Sequence, residues 1–99
     1  MRDQVEIVDN SFLRQFELEI GDNMARIEYA LLERIIFLTK FDMWQDLLDQ
    51  GFKEIFIKAV FDEVKNRGIS LVPTSPEIAH FFKKNRRLYK PLLPIGMNI

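Results

Sequence analysis

Residues 52–73 read FKEIFIKAVFDEVKNRGISLVP, and the spacing of their apolar positions decides the fold. Phe52, Ile55, Phe56, Ala59, Val60 and Val64 recur at intervals of three and four, which gathers them on one stripe of an α-helix. Asn66, Arg67 and Gly68 then supply a stop, because glycine readily takes the left-handed conformation that closes many helices. ISLVP, residues 69–73, follows as a short buried strand. A strand reached across a helix is a crossover connection, so it should lie beside an earlier strand in a mixed sheet.

Upstream the period is two. In RQFELEI, residues 14–20, Phe16, Leu18 and Ile20 alternate with polar neighbours, the pattern of a strand with one dry face. GDN at 21–23 is turn chemistry, and MARIEYALL, residues 24–32, alternates again through Ala25, Ile27, Tyr29 and Leu31, completing a hairpin. IIFLTK, residues 35–40, is apolar at consecutive positions, as expected of a central strand covered on both faces. Three antiparallel strands in a row make a meander.

The stretch between meander and helix, MWQDLLDQGFKEIF at 43–56, admits two readings. Trp44, Leu47, Leu48 and Gly51 extend the helical stripe backward, and Asp42 with Gln45 makes a capping box, so one unbroken helix over 43–67 is one of them. Glycine inside such a helix costs only about 1 kcal/mol. In the other, a loop breaks at Gly51 and leaves free amide groups where the helix starts.

Downstream, SPEIAHFF opens a second, shorter helix: Ser75 suits the cap, Pro76 the first helical position and Glu77 the positive end of the dipole. Ile78, Phe81 and Phe82 should face inward and His80 outward. The apolar tail PLLPIGMNI should lie over the core. The chain is thus expected to be α+β, with a mixed, mostly antiparallel sheet, a long helix and a second shorter one, in a single domain over residues 1–99.

Composition narrows the chemistry. Fourteen basic against fifteen acidic residues give a net charge of -1, which does not draw the whole molecule to nucleic acid or anionic membrane. The absence of cysteine excludes disulfides, thiolate metal sites and a thiol nucleophile, and suits a cytoplasmic location. MRDQVEIVDN lacks the apolar run of a signal peptide, and no apolar stretch approaches the ~18 residues of a membrane span. One histidine and no cysteine give metal ligation little support. Ser75 and His80, five residues apart on one helix, are too far apart for a Ser-His relay. The basic run Lys83, Lys84, Arg86, Arg87 and Lys90, with Tyr89 among them, reads by default as a solvated face, and it is also of the kind that holds a stretch of nucleic acid. Phe41 and Trp44 are candidates for a protein interface.

This order of elements resembles the small stand-alone GNAT-like N-acetyltransferases over residues 12–93. The resemblance rests on FELEI and ARIEY in the first two strands, LT before residue 40, QG at 50–51, KAVFDEVKNRGISLVP, Pro76 and the closing YKPLL. It implies acetyl-CoA as cofactor and acyl-CoA and an amine acceptor as partners, and the basic run at 83–90 is of the kind that holds the 3'-phosphate of CoA. In such proteins the loop before the long helix carries Arg or Gln, two residues, Gly, one residue, then Gly or Ala, so that backbone N–H groups reach a pyrophosphate at a helix N-terminus. The resemblance places that cofactor loop on Leu48, Asp49, Gln50, Gly51, Phe52 and Lys53, of which Gly51 keeps the family residue. It also places the acetyl-transfer centre at Lys40, where the family tends to have His, and at Ser75, where it tends to have Cys. The implied function is an acetyl-CoA-dependent N-acetyltransferase domain. The alternative is a non-catalytic protein-binding module on the same scaffold.

Overall fold

The computed structural model describes residues 5–99. The first four residues of the N-terminal stretch lie outside them. Five strands form one sheet in the order β1-β2-β3-β4-β5: β1 Val8–Asn10, β2 Gln15–Ile20, β3 Asn23–Leu32, β4 Ile35–Met43 and β5 Ser70–Pro73. The first four pair antiparallel, and β5 pairs parallel to β4, with Ile35 opposite Ser70 and Leu38 opposite Pro73. The mixed sheet expected from the crossover is therefore present. β1 carries no clear periodic signal in the sequence, being three residues long. Short turns join β2 to β3 and β3 to β4, the first with Gly21 at φ 60°.

Four helices follow: α1 Gln45–Asp49, α2 Phe52–Arg67, α3 Pro76–Lys84 and α4 Arg86–Tyr89, with a 3₁₀ turn over Lys90–Leu92. The unbroken helix over 43–67 does not form. Met43 is the last residue of β4, and Gly51 sits at φ 83°, ψ 21°, a left-handed conformation that ends one helical run and starts the next. Gln45 does not reach back to form a capping box; its Nε2 donates forward to Asp49 Oδ1 at 2.9 Å. Gly68 closes α2 as expected, at φ 69°.

All four helices contribute to a core on one face of the sheet. Phe16, Leu18, Ile27, Ile36, Leu38 and Leu71 meet Leu47, Phe56, Val60, Phe61, Ile78 and Phe82, each at most 1% exposed. A Phe taken wholly out of water contributes roughly 1.5–3 kcal/mol, and Phe61 adds edge-on ring contacts to Phe81 at 5.4 Å and Tyr89 at 4.9 Å. Of the tail, Leu92 and Leu93 lie on this core as expected and Ile99 packs partly against it, whereas Ile95 is fully exposed.

The expectation that IIFLTK would be covered on both faces is corrected. Ile36 and Leu38 are fully buried, whereas Ile35 and Phe37 are only half-buried on the opposite face. That face also carries Glu28, Lys40 and Asp42. A two-layer fold with helices on one side needs only one dry face per strand, and the extra apolar residues of β4 lie with Val72 on the other.

Candidate functional site

β4 is the element that opens a site. Its register against β3 slips once: Tyr29 faces Leu38 and Glu28 faces Lys40, so Thr39 is an extra, bulged residue. Its hydroxyl donates to Glu28 O at 3.2 Å. A bulge shifts the side-chain alternation by one, so Phe41 and Met43 continue the inward set of Ile36 and Leu38. Lys40 is thereby turned outward, opposite Glu28. Without the slip its ammonium would point into the core.

Immediately before the bulge, β5 leaves β4. Pairing stops at Leu38–Pro73, and Leu38 O then accepts the N–H groups of Thr74 at 3.0 Å and Ser75 at 2.9 Å and the Thr74 hydroxyl at 3.0 Å. Beyond that anchor the chain turns into α3. Among the described residues no strand pairs with β4 from Thr39 to Met43 on this side, and the place where that edge and the start of α3 diverge is termed the wedge.

Lys53, in the first turn of α2, faces this wedge. Its Nζ stands 5.7 Å from the centre of the Phe41 ring, and its positive charge acts on Glu77. Glu77 also accepts the Ser75 hydroxyl at 2.9 Å. Its own backbone N–H first, then that hydroxyl, then Lys53, hold its carboxyl below the ordinary glutamate range, against a raising effect of burial.

The residues singled out in the sequence are distributed unevenly over this arrangement. Ser75 is 1% exposed at the cap position of α3, but its hydroxyl makes no bond to the helix backbone and serves Glu77 instead. Lys40 is exposed on the outer face, and among the described residues no hydrogen bond or ion pair joins it to Ser75. In the loop segment, Leu48 N–H bonds Trp44 O, Gln50 N–H bonds Asp46 O and Gly51 N–H bonds Leu48 O. Those three donors are occupied within the α1 turn. Phe52 is buried, Asp49 is exposed, and Lys53 follows in the first turn of α2, where N–H groups lack an acceptor inside the helix. A methyl group added at Gly51 would meet nothing within 4 Å, so the backbone is approachable there.

Glu77 and Phe41 belong to the wedge and were read differently in the sequence, one as a dipole partner and the other as an interface residue. Glu77 had a usable signal, its place two residues beyond Ser75. Phe41 had none, because its inward orientation depends on the bulge at Thr39. Among the described residues, no group of three or more His, Cys, Asp or Glu side chains is arranged to hold a metal ion. No helix among them is long and apolar enough to cross a membrane.

A family model described as GCN5-related N-acetyl-transferase matches residues 15–92. No curated protein matches the chain.

Proposed function

The chain belongs to the GCN5-related N-acetyltransferase family, and from that premise we propose that its wedge binds acetyl-CoA and directs the acetyl group to an amine. The observation that carries this reading is the break at Gly51. It starts α2 beside an unpaired strand edge, with Lys53 in the first turn.

The residues there fit an anionic cofactor. The positive end of the α2 dipole and the Lys53 ammonium both favour phosphate. Asp49 opposes it by on the order of 1 kcal/mol, which two favourable features outweigh. Leu48, Asp49, Gln50, Gly51, Phe52 and Lys53 would form the binding segment, with Gly51 permitting close approach and Lys53 carrying charge. Acetyl-CoA, when bound, supplies an activated thioester.

The chain's own part is to orient the two reactants. The unpaired edge of β4 offers backbone groups to an acyl oxygen and an extended ligand arm. Ser75 stays hydrogen-bonded to Glu77, which keeps its hydroxyl a donor toward a carboxylate, and Glu77 in its ionised form attracts a cationic amine. Lys40 lies exposed on the outer face opposite Glu28, where its like charge would repel a cationic acceptor, so the reading gives it no part in the transfer.

Differential scanning fluorimetry with acetyl-CoA tests the binding step. Cofactor at about 100 times its dissociation constant stabilises the fold by roughly 2.7 kcal/mol, and Lys53→Glu reduces that shift. No shift at millimolar acetyl-CoA removes the reading. It then favours a protein-binding module, which has its own support in the half-exposed Trp44 ring, 52% accessible, and the commitment of Ser75 to Glu77.

A further inference from the structure

Charge is divided unevenly along the chain. Residues 1–77 hold nine basic and fifteen acidic side chains, -6, while residues 78–99 hold five basic and no acidic ones, +5, which together make the -1 of the whole. The fold concentrates the positive part. Arg86, Arg87 and Lys90 border an open groove of about 690 Å³ whose apolar walls include Leu93, Ile95 and Met97.

Among the described residues none of these three cations is paired with a carboxylate. Lys84 nearby is paired with Glu54, whereas Arg86 Nη2 donates to the uncharged Asn98. That bond ties the far end of the C-terminal segment back to α4. The near end is fixed by the Tyr89 ring against Phe61 at 4.9 Å. Ile95 is fully exposed at the turn closed by Met97 N–H to Pro94 O, whereas Leu93 is 7% exposed at the base. A positive, apolar trough held at both ends is preorganised for a ligand with the opposite charge.

We propose that this groove docks an acidic peptide segment of a partner protein, with carboxylates against Arg87 and Lys90 and an aliphatic side chain between Leu93 and Met97. Single-stranded nucleic acid fits less well, because Tyr89 is 5% exposed and the residues lining the groove include no ring for a base to stack on. A bilayer fits less well too. It would meet the projecting Ile95 and leave the trough beneath the cations unfilled.

Fluorescence anisotropy with a labelled peptide of alternating Glu and Leu is the test, beside a control with Gln for every Glu. The acidic peptide should bind, more weakly as salt rises, and the Gln peptide should bind at least about tenfold more weakly. Arg87→Glu/Lys90→Glu should also lower affinity about tenfold, and if that variant melts early, Arg87→Gln/Lys90→Gln serves in its place. Equal binding of the two peptides, or indifference to both variants, overturns the proposal. So does capture by anionic vesicles without peptide binding, or self-association that the variants abolish and the peptide does not compete with.

Discussion

Asp9 and Arg67, 58 residues apart in sequence, meet at 2.9 Å and tie the edge strand β1 to the last turn of α2. Asp9 also accepts the Tyr29 hydroxyl at 2.6 Å, while Arg67 donates Nε to Glu63 at 2.8 Å and lies 5.4 Å from the centre of the Phe16 ring. Because the pair is partly screened by solvent, Arg67→Ala should lower unfolding free energy by about 1–2 kcal/mol in urea titration. A double-mutant cycle with Asp9→Ala should give a coupling of ~0.5 kcal/mol or more. Strict additivity would mean that the two side chains are neighbours without mutual stabilisation.

The same cluster sets an alkaline limit. Tyr29 is pushed up to about 12, by burial first and then by its hydrogen bond to, and the charge of, Asp9. The folded state therefore holds the phenol proton more tightly than the unfolded chain, whose tyrosines titrate near pH 10. This contribution is complete below pH 10 and is lost as pH rises toward 12, by about 2 kcal/mol. Burial raises Tyr89 as well, in the same direction. Denaturation at pH 9 and pH 11.5 should show a smaller loss in Tyr29→Phe than in the parent. Equal losses would place the alkaline sensitivity elsewhere.

Gly51 is the position at which one long helix is prevented. Since an added Cβ there would touch nothing, the cost of Gly51→Ala is backbone strain alone, about 1 kcal/mol. Gly51→Asn should cost less, because asparagine tolerates the left-handed region. A neutral or stabilising alanine would contradict the left-handed break.

Asp49 offers a test of the cofactor segment that leaves the fold intact. Its exposed carboxylate accepts the Gln45 amide at 2.9 Å, so Asp49→Asn should change stability by less than about 0.5 kcal/mol. Removing the charge should strengthen acetyl-CoA binding by about three- to tenfold in isothermal titration calorimetry. Weakened binding would show that phosphate does not lie near this residue.

The elements with long, regular periods were legible in the sequence. The alternation of Phe16 and Leu18 and the three-four spacing of Phe56, Val60 and Val64 each mark a dry face, and burial follows them, while at the strand ends Ile20 is only half-buried and Leu31 is exposed. What escaped was set by single residues acting on the backbone. The bulge at Thr39 has no compositional mark, yet it decides that Phe41 turns inward and Lys40 outward. Gly51 was visible as a residue, but propensity alone weighs a mid-helix glycine almost equally with a break. The wedge was legible only in pieces, since Lys53, Phe41 and Glu77 come from three elements and meet through the departure of β5 from β4.

That departure also has a kinetic side. Each residue of β5 pairs with one 35 positions earlier, whereas short turns bring β2, β3 and β4 together. Closing a loop of that length costs about 3 kcal/mol of chain entropy before any contact repays it, so the meander should assemble early and β5 should dock late, after α2. Leu71→Ala should then accelerate unfolding in stopped-flow chevrons and leave the refolding limb nearly unmoved, while Ile27→Ala should slow refolding.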